Sequence, residues 1–113
     1  MKEKIIQRQV IQWFRLQYPN YSKLLIAVPN GGSRNSLEAV ELKRQGVQAG
    51  VADLLLLIPK GGFGCLGLEL KNEKNKQTLK QMEWQSDFEM FNKYVVCRSL
   101  YEFIDEIEKY LEL

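Results

Sequence analysis

The sequence predicts an α/β domain, a mixed four-stranded sheet flanked by helices. Three observations lead there. Four segments carry apolar residues at helical spacing or behind helix caps, and four others are short apolar runs of strand length. The two kinds interleave in the order helix, strand, helix, strand, strand, helix, strand, helix. The adjacent strands are joined through Pro59-Lys60-Gly61-Gly62, a hairpin signal.

The first helix spans residues 2–17, with Ile6, Val10, Trp13, Phe14 and Leu16 as its apolar positions, and Pro19 stops it. Residues 23–28 read as a short strand, ended by Pro29-Asn30-Gly31-Gly32, a loop by composition. Asn35 can cap a helix over Ser36–Arg44 whose N3 residue is Glu38, and Gly46 suits its C-terminal cap. Residues 53–58 and 65–71 are the hairpin strands. Thr78-Leu79-Lys80-Gln81 is a capping box opening a helix that runs to about Asn92. Residues 94–98 form a β-branched strand, and Ser99 with Glu102 caps the last helix.

With 113 residues the chain has room for one core, so residues 1–113 are expected to form a single domain. Hydrophobic residues make up 45 % of it, and no run approaches the length of a membrane span. Met1-Lys2-Glu3-Lys4 leads into an amphipathic segment rather than a signal-peptide core, so an intracellular protein is expected. Cys65 and Cys97 lack C-x-x-C spacing and fall on strands, where they read as buried, reduced core residues. Histidine is absent, which excludes Ser-His-Asp and Cys-His triads and histidine-ligated zinc. Any hydrolysis must therefore run on carboxylates, lysine and metal.

Two carboxylates and a lysine stand out, Asp53 and the triplet Glu69-Leu70-Lys71. A strand sends residues i and i+2 to one face, so Glu69 and Lys71 point together while Leu70 turns into the core. A hairpin brings Asp53 beside them. Two carboxylates can hold a hard divalent cation through oxygen, and an ammonium beside them can orient or deprotonate an activated water. That suffices to hydrolyse a phosphodiester. Glu41-Leu42-Lys43 repeats the same letters, but in a helix positions i and i+2 stand roughly 200° apart and cannot share a metal.

A net charge of +2 makes no case for nucleic acid. Local charge says more: Lys71, Lys74, Lys76 and Lys80 follow the candidate site, and Arg34, Lys43 and Arg44 precede it. The stretch from Asn30 to Arg34 lacks the P-loop pattern G-x-x-x-x-G-K-[ST], and no dinucleotide fingerprint appears. Its glycine amides can still approach a phosphate closely, with Arg34 supplying charge. Trp13, Phe14, Trp84 and Phe88 recur at helical spacing and read as core rather than base-stacking platforms.

These residues resemble a known family. Glu3-x-x-x-Gln7, the run Val28-Pro29-Asn30-Gly31-Gly32-Ser33-Arg34, the run from Gly46 to Leu54 ending Val51-Ala52-Asp53-Leu54, Glu69-Leu70-Lys71 and Gln81-Met82-Glu83-Trp84 together are similar to the VRR-NUC domain, a branch of the PD-(D/E)XK nuclease superfamily. The resemblance runs over nearly the whole chain. It implies a restriction-endonuclease-like core, with Ser36–Arg44 as an inserted helix. The family usually carries proline before its catalytic aspartate, where this chain has Ala52. That proline shapes the backbone and supplies no ligand.

The resemblance implies roles. Asp53, Glu69 and the Leu70 carbonyl match metal ligands, for Mg²⁺ or Mn²⁺, and Lys71 matches the residue that positions the attacking water. Glu3 matches a helical carboxylate that often completes the metal shell; read alone, it is a first-turn residue favoured by the helix dipole. Gln81 matches a position beside the catalytic lysine and is equally the N3 half of a capping box. Asn30, Arg34 and Lys74 are the expected DNA contacts. Small stand-alone members resemble phage enzymes that dimerise and cut branched DNA, and the Fanconi-associated nuclease is a larger relative. The implied function is a metal-dependent, structure-selective DNA endonuclease acting on Holliday junctions, as a cytoplasmic homodimer of phage type. Phe63, in the hairpin, is a candidate contact between copies. A sequence-specific restriction-type enzyme and a non-catalytic nucleic-acid-binding module are the alternatives.

Overall fold

The computed structural model describes residues 2–29 and 35–113. The expected DNA contacts Asn30 and Arg34 lie outside the described residues. The elements are α1 (Glu3–Gln17), β1 (Leu25–Ala27), α2 (Ser36–Arg44), β2 (Leu54–Leu56), β3 (Leu66–Leu70), α3 (Leu79–Phe88), β4 (Lys93–Cys97) and α4 (Leu100–Leu111), with a 3-10 turn over Pro19–Leu24. The sheet order is β1-β2-β3-β4. β1, β2 and β3 pair antiparallel and β3 and β4 pair parallel, so the sheet is mixed, as expected.

Helices α1 and α4 cover one sheet face. Ile6, Val10 and Phe14 on α1 recur every four residues, and Phe103, Ile107 and Tyr110 on α4 repeat the pattern. They meet Leu54, Leu56, Leu66, Leu68 and Leu70 in one core. Each such side chain contributes about 1.5–3 kcal/mol by leaving water. Trp13 stands edge-on to Phe103 at 6.1 Å, and the Tyr110 hydroxyl donates to the Ile58 carbonyl at 2.6 Å. Leu16, expected among the apolar positions of α1, is 77 % exposed, because it falls half a turn away from the buried stripe.

Each of the three predicted caps forms. The Glu38 amide donates to Asn35 Oδ1 at 2.8 Å, and the Glu102 amide donates to Ser99 Oγ at 3.2 Å. At Thr78 both halves of the capping box are present. The hairpin closes on Gly61-Gly62, both at positive φ (56° and 87°), inside a Lys60–Phe63 bridge. A two-residue turn with two positive φ angles matches the right-handed twist of the strands it joins, and glycine adopts it without steric cost.

Several boundaries differ from expectation: β2 (Leu54–Leu56) and β3 (Leu66–Leu70) are shorter than 53–58 and 65–71, so Asp53, Cys65 and Lys71 flank the strands, and β4 starts one residue early at Lys93. Pro19 starts a 3-10 turn rather than a loop, so β1 begins at Leu25 rather than at Lys23. Helix α3 ends at Phe88 rather than near Asn92, and the Phe88 carbonyl there accepts from the Phe91 and Asn92 amides and from the Asn92 side chain. Cys65 is half-buried, whereas Cys97 is buried; both are free thiols. Phe63 is engaged within its own protomer, packed on Tyr110 with the Lys93 ammonium 5.7 Å from its ring centroid. Helix α2 has no buried residue, in keeping with an insertion outside the core. Among the described residues no helix is long and apolar enough to cross a membrane.

Candidate active site

The end of β3 is where the sheet opens. β2 pairs with β3 only as far as Leu54 opposite Leu68, so the amide of Leu70 has no strand partner on that side. The Asp53 carboxylate takes it instead, with Oδ2 accepting from the Leu70 amide at 2.7 Å. That bond fixes the Asp53 side chain across the mouth of the hairpin. In a strand a residue's N–H and C=O point to the same side, so the Leu70 carbonyl also faces Asp53.

Glu69 lies beside it, 1 % exposed, on the face opposite Leu68 and Leu70. Its Oε2 accepts from Gln81 Nε2 at 3.1 Å. Its Oε1 is buried and has no hydrogen-bond partner among the described residues. Burial and then the neighbouring Asp53 carboxylate push the Glu69 carboxyl up to about 8, against the pull of Lys71. Lys71 is 7 % exposed and its backbone amide is tied to the Cys97 carbonyl at 3.0 Å, which anchors it past the end of β3.

Gln81 serves two structures with one amide. Its oxygen accepts from the Thr78 amide at 2.8 Å, completing the cap of α3, and its nitrogen holds Glu69. Helix formation at α3 and orientation of Glu69 are therefore one event. The loop from β2 back to α2 meets the same turn: Gly50 has φ 80°, and a Cβ built there would overlap the Lys80 carbonyl and lie 2.9 Å from the Gln81 amide. Glycine is required at this point by space as well as by conformation. Gly50→Ala should lower stability by about 1–3 kcal/mol and detach Gln81 from Glu69. Thermal melting checks this, and an unchanged midpoint would show that the contact is not tight.

These groups line one open cavity of about 620 Å³. It brings together Asp53, Glu69, Leu70, Lys71, Gln81 and, from the first turn of α1, Glu3. Lys74 is not among its walls; it borders a smaller depression with Lys2, Asn72 and Glu73. The decoy residues Glu41 and Lys43 are on α2, outside the cavity. Gln7, which the Glu3-x-x-x-Gln7 match names without a role, and Asn72, which sequence reasoning did not name, also line it. Gln7 was findable, since four residues from Glu3 places it on the same helix face. Arg98 was not: from β4's end its guanidinium donates to the Asn72 and Asn75 carbonyls at 2.7 Å each, bracing the loop that follows Lys71. Asn75 in turn donates to Glu3 Oε1 at 3.4 Å.

The donor set suits a hard cation. A buried, unpartnered carboxylate oxygen beside a second carboxylate is a costly arrangement that a divalent ion would relieve. Asp53, Glu69 and the Leu70 carbonyl are the groups that could hold it. Glu3 shares this cavity with Asp53 and Glu69, although among the described residues no group of three His, Cys, Asp or Glu side chains converges on one point. Two carboxylates with water completing the shell is a pattern typical of Mg²⁺.

No family model and no curated protein matches the chain. Among solved structures, one described as a VRR_NUC domain protein superimposes with a TM-score of 0.87 at 25 % identity, covering 100 % of this chain and 90 % of that one. Ala52, where the family resemblance leads one to expect proline, is fully buried beside Asp53. Whole-chain likeness and the mixed four-stranded sheet agree: this chain has the fold of a VRR_NUC domain protein, an α/β architecture consistent with a restriction-endonuclease-like core.

Proposed function

We propose that the chain is a metal-dependent DNA endonuclease that hydrolyses phosphodiester bonds, preferring four-way junctions or other branched DNA. One observation carries the chemistry: the unpartnered Glu69 Oε1, buried against Asp53 with Lys71 next on the same face. The likeness to a VRR_NUC domain protein supports a nuclease. When bound, Mg²⁺ or Mn²⁺ would supply Lewis-acid polarisation and charge neutralisation at the scissile phosphate. Asp53 and Glu69 hold their oxygens in fixed positions through the Leu70 amide and Gln81. Lys71 orients the attacking water and offsets the negative charge that builds in the transition state. Lys74, at the cavity's margin, serves the DNA backbone.

The branched-DNA preference follows from the resemblance to small phage enzymes and from geometry. Resolving a junction takes two incisions on opposing strands, and a two-fold homodimer presents two sites related as those strands are. The test is cleavage of labelled duplex, flap and four-way junction, with light scattering on the protein alone and with junction. We expect a dimer that cuts the junction in Mg²⁺ or Mn²⁺, with little turnover in Ca²⁺, whose longer, looser coordination positions water poorly. Cutting that survives chelation, or that zinc alone restores, contradicts the metal site. A monomer that cuts duplex and junction equally leaves a generic nuclease. Cutting at one sequence whatever the branching points to a restriction-type enzyme, and binding without cutting to a non-catalytic module.

A further inference from the structure

Helix α1 with its N-cap residue carries Lys2, Lys4, Arg8 and Arg15 against one acidic residue, Glu3, so the modest net charge of the chain is unevenly spread. Lys4, Arg8 and Arg15, with Gln12 between them, are exposed and recur at intervals that keep them on one helix face, away from the buried Ile6, Val10 and Phe14. The ion pairs among the described residues are Arg44–Glu41 and Lys109–Asp105, so these α1 cations are not neutralised by a carboxylate. A second depression of about 570 Å³ runs along this face, between Lys4 and Leu16. It adjoins the candidate active site, because Lys4 and Gln7 line both.

We propose that this face of α1 is a phosphate track, which holds the backbone of a duplex arm leaving the active site. The proposal rests on the nuclease reading above and extends it. From Lys4 to Arg15 the helix rises about 16 Å, the length of about five base pairs of B-form DNA. Arginines and an amide along that length match successive phosphate oxygens, which are bound by charge and hydrogen bonds without regard to sequence. No aromatic residue lines the track; Trp13 is turned away against Tyr18 and Phe103. Single-strand grooves stack bases on aromatic rings, so the occupant is a duplex backbone rather than an unpaired flap.

The experiment is DNA binding in Ca²⁺ by the whole chain and by Arg8→Ala and Arg15→Ala, across a salt series. Alanine is the best helix former, so these exposed changes leave α1 intact. Each variant should bind on the order of tenfold more weakly at 0.1 M salt, and the slope of log affinity against log salt should flatten by about 0.9. Lys109→Ala, which removes equal charge from an ion pair on α4, should match wild type. Shortening the duplex arm on one side of the cut by about five base pairs should weaken wild type more than either variant, which has already lost one contact to that arm. Slopes equal to wild type, or wild-type affinity indifferent to arm length on either side, overturn the track while leaving the nuclease reading standing. Wild-type protein that binds no DNA at any salt overturns both.

Discussion

Asp53→Asn, Glu69→Gln and Lys71→Ala should each reduce cleavage by about 10²–10³-fold or more, whereas Glu41→Gln and Lys43→Ala should cleave as wild type does. The two triplets have identical letters, so the contrast isolates position. Glu69 and Lys71 stand on one face of a buried strand with Asp53 held against them, while Glu41 and Lys43 lie on a helix with no buried residue. Loss of activity through misfolding is not expected at Asp53, because the amide oxygen of asparagine can still accept from Leu70. Initial rates in Mg²⁺ on a labelled junction read the effect. Decoy variants as damaged as the strand variants would remove the basis for choosing Glu69-Leu70-Lys71.

Glu69→Gln should also raise the stability of the metal-free protein, while ending its activity. Above about pH 8 the wild-type side chain is a carboxylate with one oxygen unpartnered, buried next to a second carboxylate. Glutamine keeps the shape and removes the like charge. The expected gain at pH 9 is about 1–2 kcal/mol, read as a melting-temperature rise of about 4–8 °C in chelator. The pH dependence has a definite sign. Burial first, and Asp53 second, raise the Glu69 carboxyl to about 8, so the folded state holds that proton more tightly than the unfolded chain does. Its stabilising contribution is complete below the ordinary carboxylate range and is lost as pH rises through about 8. The gap between variant and wild type should therefore widen from pH 5 to pH 9. Mg²⁺ should close it by stabilising wild type alone. A variant no more stable than wild type in chelator would mean that Glu69 is not under charge strain.

Much of this arrangement was legible in the residues, and the parts that were not share a physical cause. Caps at Asn35, Thr78 and Ser99 are local: a side chain meets an amide three residues on, so the sequence carries the whole interaction. The Gly61-Gly62 turn is local in the same way. The pairing of Asp53 with the Glu69 strand needed only the hairpin and the two-residue period of a strand. Contacts closed by tertiary packing were not legible. Gly50 looks like any loop glycine until α3 is laid across it. Arg98 is a strand-end residue until the loop after Lys71 folds back onto its guanidinium. The early end of α3 at Phe88 carries no local sequence signal. Gln81 reads as a cap whose amide has hydrogen-bonding sites to spare, and its two ends do bond Thr78 and Glu69.

The most direct measurement is the anomalous difference map of a crystal soaked in Mn²⁺. The account predicts a peak about 2.1 Å from oxygens of Asp53 and Glu69 and from the Leu70 carbonyl, and its disappearance in Glu69→Gln. No peak at that place at a saturating concentration, or a peak that persists unchanged without the Glu69 carboxylate, would contradict the claim that these groups form a metal-dependent hydrolytic site.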